Sequence, residues 1–348
     1  MRRILGVPAL LLAPLLALAA CTSGAPKAQQ STSDSTGASP KVVHLTMAVP
    51  YGTTSSVERF IQRVAEATGG SLQIDAKLKW RTGQLAYEDG TIADVQAGKA
   101  DLGVAGTRAF PGPVRILSAP ELITSYAAQE RLLKSPLYKR LGTALSVPGI
   151  TGLGLLPGQF RYLFTASRSA PTPTGLHGRL VGVAQSKLAD DTFHALGART
   201  RWYPLSGSVS DMDGIESSIA SFNHEGYVSS KKYLTGNLVL WPRMVVPFIS
   251  DSALKRLSPE QRQALTQAAS AAFEDTMSEL QAEDADELTQ LCAGELVVGQ
   301  AGAAQLAAYR VAVAPVDTRL EHDPQTGELF TLVKSLVKGA KPEPALHC

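Results

Sequence analysis

The apolar positions of this chain change period as it runs. After a leucine-rich opening, "HLTMAV" (His44–Val49) alternates apolar with polar residues, the period of a strand with one buried face. Val57, Phe60, Ile61 and Val64 then recur at the intervals that place them on one helical face, and Gly69-Gly70 supplies a stop. "LQIDAKL" (Leu72–Leu78) returns to a strand, followed by a helix over Gly90–Ala97 and a more buried strand, "DLGVAG" (Asp101–Gly106). A helix over Ala127–Leu145 is broken or kinked at Pro136. "ITGLGLLPG", "RYLFTAS" and "RLVGV" read as strands, and Ser186–Ala198 as a helix that uses Leu188, Phe193 and Leu196. "NLVLWPRMVVPFIS" (Asn237–Ser250) is apolar and extended, and Pro242 and Pro247 should limit its pairing. Strands alternating with helices predict an α/β architecture. A body of about 300 residues predicts two domains rather than one.

The sharpest single element begins at Ser258. "SPEQ" offers an N-cap serine, proline at the first helical position and glutamine three residues after the cap, which together make a capping box. Apolar positions continue through Leu265, Ala269, Ala272, Met277, Leu280, Leu288 and Leu291. At ~1.5 Å per residue a helix over 258–291 runs about 50 Å. That exceeds one small domain, so it should bridge two. The Pro/Gly-rich "SAPTPTGLHG" (Ser169–Gly178) is the candidate hinge.

The opening segment has a different purpose. Arg2 and Arg3 precede an apolar run from Ile4 to Ala20, the layout of a secretory signal. The run is short for a membrane span, which needs ~20 unbroken apolar residues. Leu18-Ala19-Ala20-Cys21 resembles the lipobox of bacterial lipoproteins, in which the cysteine is acylated and becomes the new N-terminus. The alternative is an ordinary signal peptide with a chance cysteine. Residues 21–41 carry almost no large apolar side chain and read as a disordered tether behind a lipid anchor.

Loss of residues 1–20 removes Arg2 and Arg3 from the 33 basic residues and leaves them balanced against 31 acidic ones. A neutral chain with no basic block offers no nucleic-acid partner. Cys21, Cys292 and Cys348 are the cysteines. With Cys21 acylated in an oxidising compartment, Cys292 and Cys348 are left to pair and pin the C-terminal tail, or to stay as free thiols.

Catalytic signatures are missing. There is no Gly-x-Ser-x-Gly elbow and no His-Glu-x-x-His. The six histidines do not pair at metal-ligand spacing. "DMDGIE" (Asp211–Glu216) resembles a calcium loop only until its twelfth position, which falls on Ala220. No enzyme activity, cofactor or metal is expected.

Several phrases together resemble the solute-binding proteins of tripartite ATP-independent periplasmic (TRAP) transporters, of the dicarboxylate-binding type. They are Thr68-Gly69-Gly70, Gly83-Gln84-Leu85, Gly98-Lys99-Ala100-Asp101, "GQFRYLFTASRSAPTPTGLHGRLVGVAQS", "DGIE" (Asp213–Glu216), "KKYLTGN" and "ISDSALKRLSPEQRQALTQAA". The resemblance covers roughly Val43 to Val337. It implies a two-lobed periplasmic-binding-protein-like α/β fold (type II-like) with a long domain-bridging helix. Lobe I would be 42–160 plus about 240–270, and lobe II 161–239 plus about 271–340. It also implies a function: capture of a small anionic or polar organic solute between the lobes, and its transfer to membrane permease subunits. The protein would stand on the outer face of the cell membrane, held there by its lipid. A ligand-sensing or scaffold lipoprotein with a degenerate pocket is the alternative.

In the family an arginine on the strand after Leu-x-Gly clamps the ligand carboxylate through its planar fork. Aligning Leu176-His177-Gly178 with that motif puts Gly182 where the arginine belongs. Arg179 lies three residues earlier and points to the other face of a regular strand. A second family arginine matches Arg161. The ligand is therefore expected to rest on Arg161 without the second clamp, and to be weaker-binding or less anionic, or larger and entering the space Gly182 leaves. Trp241, Asn237, Asn223, Arg108, Gln185 and Tyr51 are the further candidate contacts. Arg108 and Gln185 follow strands, where open α/β sheets bind ligands. Trp241 could stack on a ligand.

Overall fold

The computed structural model describes residues 42–52, 54–145, 147–168 and 172–348. Cys21, the leader and the tether lie outside the described residues, as does part of the candidate hinge. The strands are β1 (Val43–Ala48), β2 (Leu72–Lys77), β3 (Leu102–Gly106), β4 (Ile150–Gly152), β5 (Phe160–Thr165), β6 (Leu180–Val183), β7 (Arg199–Trp202), β8 (Gly214–Ser217), β9 (Tyr233–Thr235), β10 (Trp241–Pro242), β11 (Val245–Ser250) and β12 (Val297–Gly299). The helices are α1 (Ser55–Ala67), α2 (Tyr87–Gln96), α3 (Tyr126–Leu133), α4 (Leu137–Thr143), α5 (Pro173–Leu176), α6 (Lys187–Ala195), α7 (Ile219–His224), α8 (Asp251–Lys255), α9 (Pro259–Ala293), α10 (Ala303–His322) and α11 (Gly327–Val337).

Two sheets result, in the order β2-β1-β3-β11-β4 and β12-β9-β5-β8-β6-β7, with β10 paired to β5. Each is mixed. In the first sheet β1 runs parallel to β2 and β3, while β11 runs antiparallel to β3 and β4. This is a two-lobed α/β body. The chain enters the second sheet at β5 and returns to the first through the short link from β10 to β11.

Pro136 ends the third helix early. Its ring cannot continue α3, so the segment forms two helices with Pro136 at the cap of α4. Pro247 behaves differently from its expectation, because β11 is paired on both sides. Its carbonyl accepts from Leu153 N at 2.9 Å, one residue beyond the end of β4. The missing N–H lies on that same side, where the ladder has already stopped, so the proline costs no strand bond.

The capping box of α9 forms as the sequence predicts, with Ser258 and Gln261 bonding each other's backbone N–H groups. The helix extends to Ala293. Its first half packs on α1, with Arg63 and Asp275 2.6 Å apart, and Arg59 pairs with Glu279. Further along, Glu287 accepts from Asn223 of α7 at 2.6 Å. Cys292 and Cys348 form a disulfide with their Cα atoms 5.3 Å apart. The tail it holds donates from Leu346 N to Gly236 O at 3.0 Å, and Glu343 accepts from Tyr126 N at 2.9 Å.

Candidate functional site

The register of the second sheet dictates what surrounds Arg161. Leu163 lies opposite Glu216, so Arg161 and Glu216 are diagonal neighbours on one face, and Trp241 lies directly opposite Arg161. The three side chains close on one another. Arg161 donates through Nε to Glu216 Oε1, and through Nη2 to Oε2 at 3.0 Å and to the Glu216 carbonyl at 2.9 Å. Trp241 Nε1 adds a bond to Oε1 at 3.2 Å. Arg161 is 6 % exposed and Glu216 3 %. Burial pushes the Glu216 carboxyl up, but the charge and hydrogen bonds of Arg161, with Arg108 behind, hold it below its usual value.

A second pair stands across from it. Arg108 Nη2 lies 2.6 Å from Glu88 Oε2 and donates to the Tyr87 hydroxyl at 2.9 Å. Glu88 also accepts from Gly106 N at 2.9 Å. Thus both arginines predicted to meet a ligand already hold a carboxylate. The small cavities that Arg161 lines measure about 10 and 20 Å³, the room of a water rather than of a solute.

Among the described residues Arg243 is the half-buried arginine here that holds no carboxylate. It lies between β10 and β11, at the crossing between the sheets, and lines both small cavities and a much larger one of about 610 Å³. Its guanidinium stacks on the Tyr51 ring, 3.9 Å from the centroid. Among the described residues it makes no hydrogen bond or ion pair through its side chain. Its backbone is held tightly. Arg243 N donates to Gln159 O at 2.8 Å, and a Cβ at Gly158 would lie 1.7 Å from the Arg243 carbonyl oxygen. Only glycine lets the two chains approach so closely. The cavity also takes in Lys79, Thr82, Gln159, Ser206, Ser221, His224 and the carboxylates of Glu58, Glu225, Glu283 and Glu287. Tyr51 is 4 % exposed, and its hydroxyl has no partner among the described residues.

The remaining sequence candidates are dispersed. Asn237 bridges the chain before α10, bonding Ala301 O at 2.8 Å and Ala301 N at 2.7 Å. Asn223 joins α7 to α9 and touches the large cavity only through Glu287. Trp241 is buried edge-on to Phe193. Gln185 is half-buried beyond β6 and is not among the lining residues. No room opens beside Gly182. A Cβ there would meet Met212 Sδ at 2.3 Å, with Ile215 and Tyr203 at 3.1 Å. Of the candidates, only Tyr51 lines the large cavity. The sequence reading did not name Arg243, Glu283 or Glu287, which line that cavity, or Glu88, which pairs with Arg108. Arg243 did carry a signal, as the lone charge in an apolar run that has to be buried.

Among the described residues no three His, Cys, Asp or Glu side chains are grouped to hold a metal, and no helix is long and apolar enough to cross a membrane.

The sequence profile described as bacterial extracellular solute-binding protein, family 7, matches residues 49–322, and the chain belongs to that family. It is an extracellular solute-binding protein. No curated protein matches the chain. Among solved structures it resembles the sugar acid binding protein DctPAm of Advenella mimigardefordensis strain DPN7T in complex with galactonate, at 19% identity and TM-score 0.74, over 86% of this chain and 99% of that one. A TRAP periplasmic solute-binding protein of Xanthobacter autotrophicus Py2 with bound β-D-galacturonate is 18% identical with TM-score 0.73, covering 84% and 99%. One from Ochrobactrum anthropi, its C-terminus bound in the ligand-binding pocket, is 20% identical with TM-score 0.73, covering 86% and 97%.

Proposed function

We propose that this protein captures a carboxylate-bearing organic solute in the 610 Å³ cavity and releases it, unchanged, to the permease subunits of a TRAP-type transporter. The observation that carries the reading is Arg243. A half-buried guanidinium with no counter-ion is costly unless something completes it, and its planar fork suits a carboxylate. Arg161 and Arg108 stiffen the floor of the site instead of reaching the solute. The galactonate and galacturonate in the similar structures are consistent with an acid as ligand. Lobe I is taken as 42–160 with about 240–270, and lobe II as 161–239 with about 271–340. Cys21 is read as the lipidated N-terminus that holds the protein at the outer face of the cell membrane.

Calorimetric titration with D-galacturonate, D-galactonate and short monocarboxylates tests the binding. Loss of one charge-assisted bidentate contact in Arg243→Gln should weaken an acid about tenfold to a hundredfold. Acid binding unmoved by that substitution, with loss on Arg161→Met, would return the clamp to Arg161. Metabolic labelling with an alkyne fatty acid checks the anchor, and Cys21→Ser should abolish the label.

A further inference from the structure

The cavity beside Arg243 is not basic throughout. Its fixed cations are Arg243 and Lys79, and Glu58, Glu225, Glu283 and Glu287 line the same cavity. His224 sits 2.8 Å from Glu287 and adds a charge only when protonated. Glu283 and Glu287 are one turn apart on α9, so they present to the same side of that helix. Among the described residues neither Glu225 nor Glu283 forms an ion pair. Burial pushes the Glu283 carboxyl up, against a hydrogen bond with Ser55 and with the charges of Glu279, Glu58 and Glu287 adding to it. Such a wall is short of positive charge.

Among the described residues Arg243 has no counter-ion, and the Tyr51 hydroxyl under it is buried without a partner. Burial raises that hydroxyl's pKa, so it stays a neutral donor. A dianion such as a dicarboxylate would satisfy Arg243 and be repelled by the glutamates. A solute with one anion and one cation satisfies both ends.

We propose that the solute is amphoteric: its carboxylate is held by Arg243, and a cationic nitrogen on the same molecule is held by Glu225, Glu283 and Glu287. This rests on the reading of Arg243 as the carboxylate anchor. The selectivity comes from like-charge rejection as much as from attraction.

The test is calorimetry on the full-length protein with ω-amino acids of three to six carbons, each beside its deaminated acid and its amide, and with D-galacturonate as a plain acid. At least one amino acid should bind about tenfold or more tighter than its deaminated acid, since a hydrogen-bonded charge is worth that much. Glu283→Gln or Glu225→Gln should erase most of this preference, the amino acid losing affinity while the deaminated acid, facing less like charge, keeps or gains it. Arg243→Gln should weaken both. If deaminated acids or D-galacturonate bind as tightly as the amino acids, and Arg243→Gln still weakens them, the amphoteric solute is excluded and the anchor stands. If Arg243→Gln moves no affinity, the anchor and the proposal fall together. A panel in which nothing binds overturns the proposal as well.

Discussion

Glu216→Gln isolates the buried pair of Arg161 and Glu216. The substitution keeps the shape of the side chain and one acceptor for Trp241. It removes the charge that Arg161 faces. Arg161 is 6 % exposed and has no other carboxylate among its hydrogen-bond partners. Removing one member of a buried ion pair costs ~3–5 kcal/mol, because the partner is left charged and uncompensated. The amide still accepts one bond, so the expected loss is near the lower end, about 3 kcal/mol. Urea unfolding at neutral pH measures it. Arg161→Met combined with Glu216→Leu removes both charges and should recover to within ~1 kcal/mol of the parent. Acid titration gives a second reading. Because Arg161 depresses the Glu216 pKa in the folded state, the pair's stability is present above the carboxyl's ordinary 4.5 and is lost as pH falls through the folded value. Glu216→Gln should remove that acid-side slope. A Glu216→Gln protein that unfolds within ~1 kcal/mol of the parent would refute the reasoning, since Arg161 would then have to be solvated or able to find another anion.

Other expectations follow from burial and covalent topology. Burial raises Asp284, where Tyr126 donates to it at 2.6 Å, from 3.8 to about 7. The folded state therefore holds a proton that the unfolded state releases, and stability should fall as pH rises from about 4 to 7, then level off. Asp284→Asn should flatten that slope, with a gain at pH 8 of up to ~4 kcal/mol at ~1.4 kcal/mol per pH unit, read from urea midpoints across pH. Cys292 and Cys348 are 56 residues apart, so their bond should stabilise the fold by up to ~4 kcal/mol through the unfolded chain, measured by unfolding with and without a reductant. Gly182→Arg would place an arginine where the sequence comparison expected a clamp, but Met212, Ile215 and Tyr203 fill the space. It should lower stability by ~1–3 kcal/mol and add no acid affinity in calorimetry.

The fold was largely legible because its signals are local. The capping box of Ser258 and Gln261 needs only four residues, and Pro136 splits its helix by its own ring. The even pair of body cysteines allowed the bond between Cys292 and Cys348 to be foreseen. The site was not legible, because it depends on register. Nothing near Arg161 in sequence says that Glu216, fifty-five residues on, will lie diagonally across a strand pair and take its charge. Pro247 was misjudged for the same reason: whether its missing N–H matters depends on where β4 stops.

Family membership and ligand identity separate at Gly182 and Glu216. The family fold requires a cleft between two sheets, and this chain supplies one. The fold does not require that a given arginine stay available. Here the position expected to carry the first clamp is a glycine backed by Met212 and Tyr203, while the second is tied to a carboxylate 3 % exposed. A buried ion pair contributes little net stability but holds a geometry, and this one braces β5, β8 and β10 at the edge of the cavity. On the proposed reading, anion recognition comes from a side chain outside that brace. Arg243 meets the condition because it sits on the crossing between the sheets, clamped by Gly158 and Gln159 from behind and open to the cavity in front. A solute bound there touches the link joining the two sheets, so the same contact that holds the carboxylate can also favour one arrangement of the lobes over another.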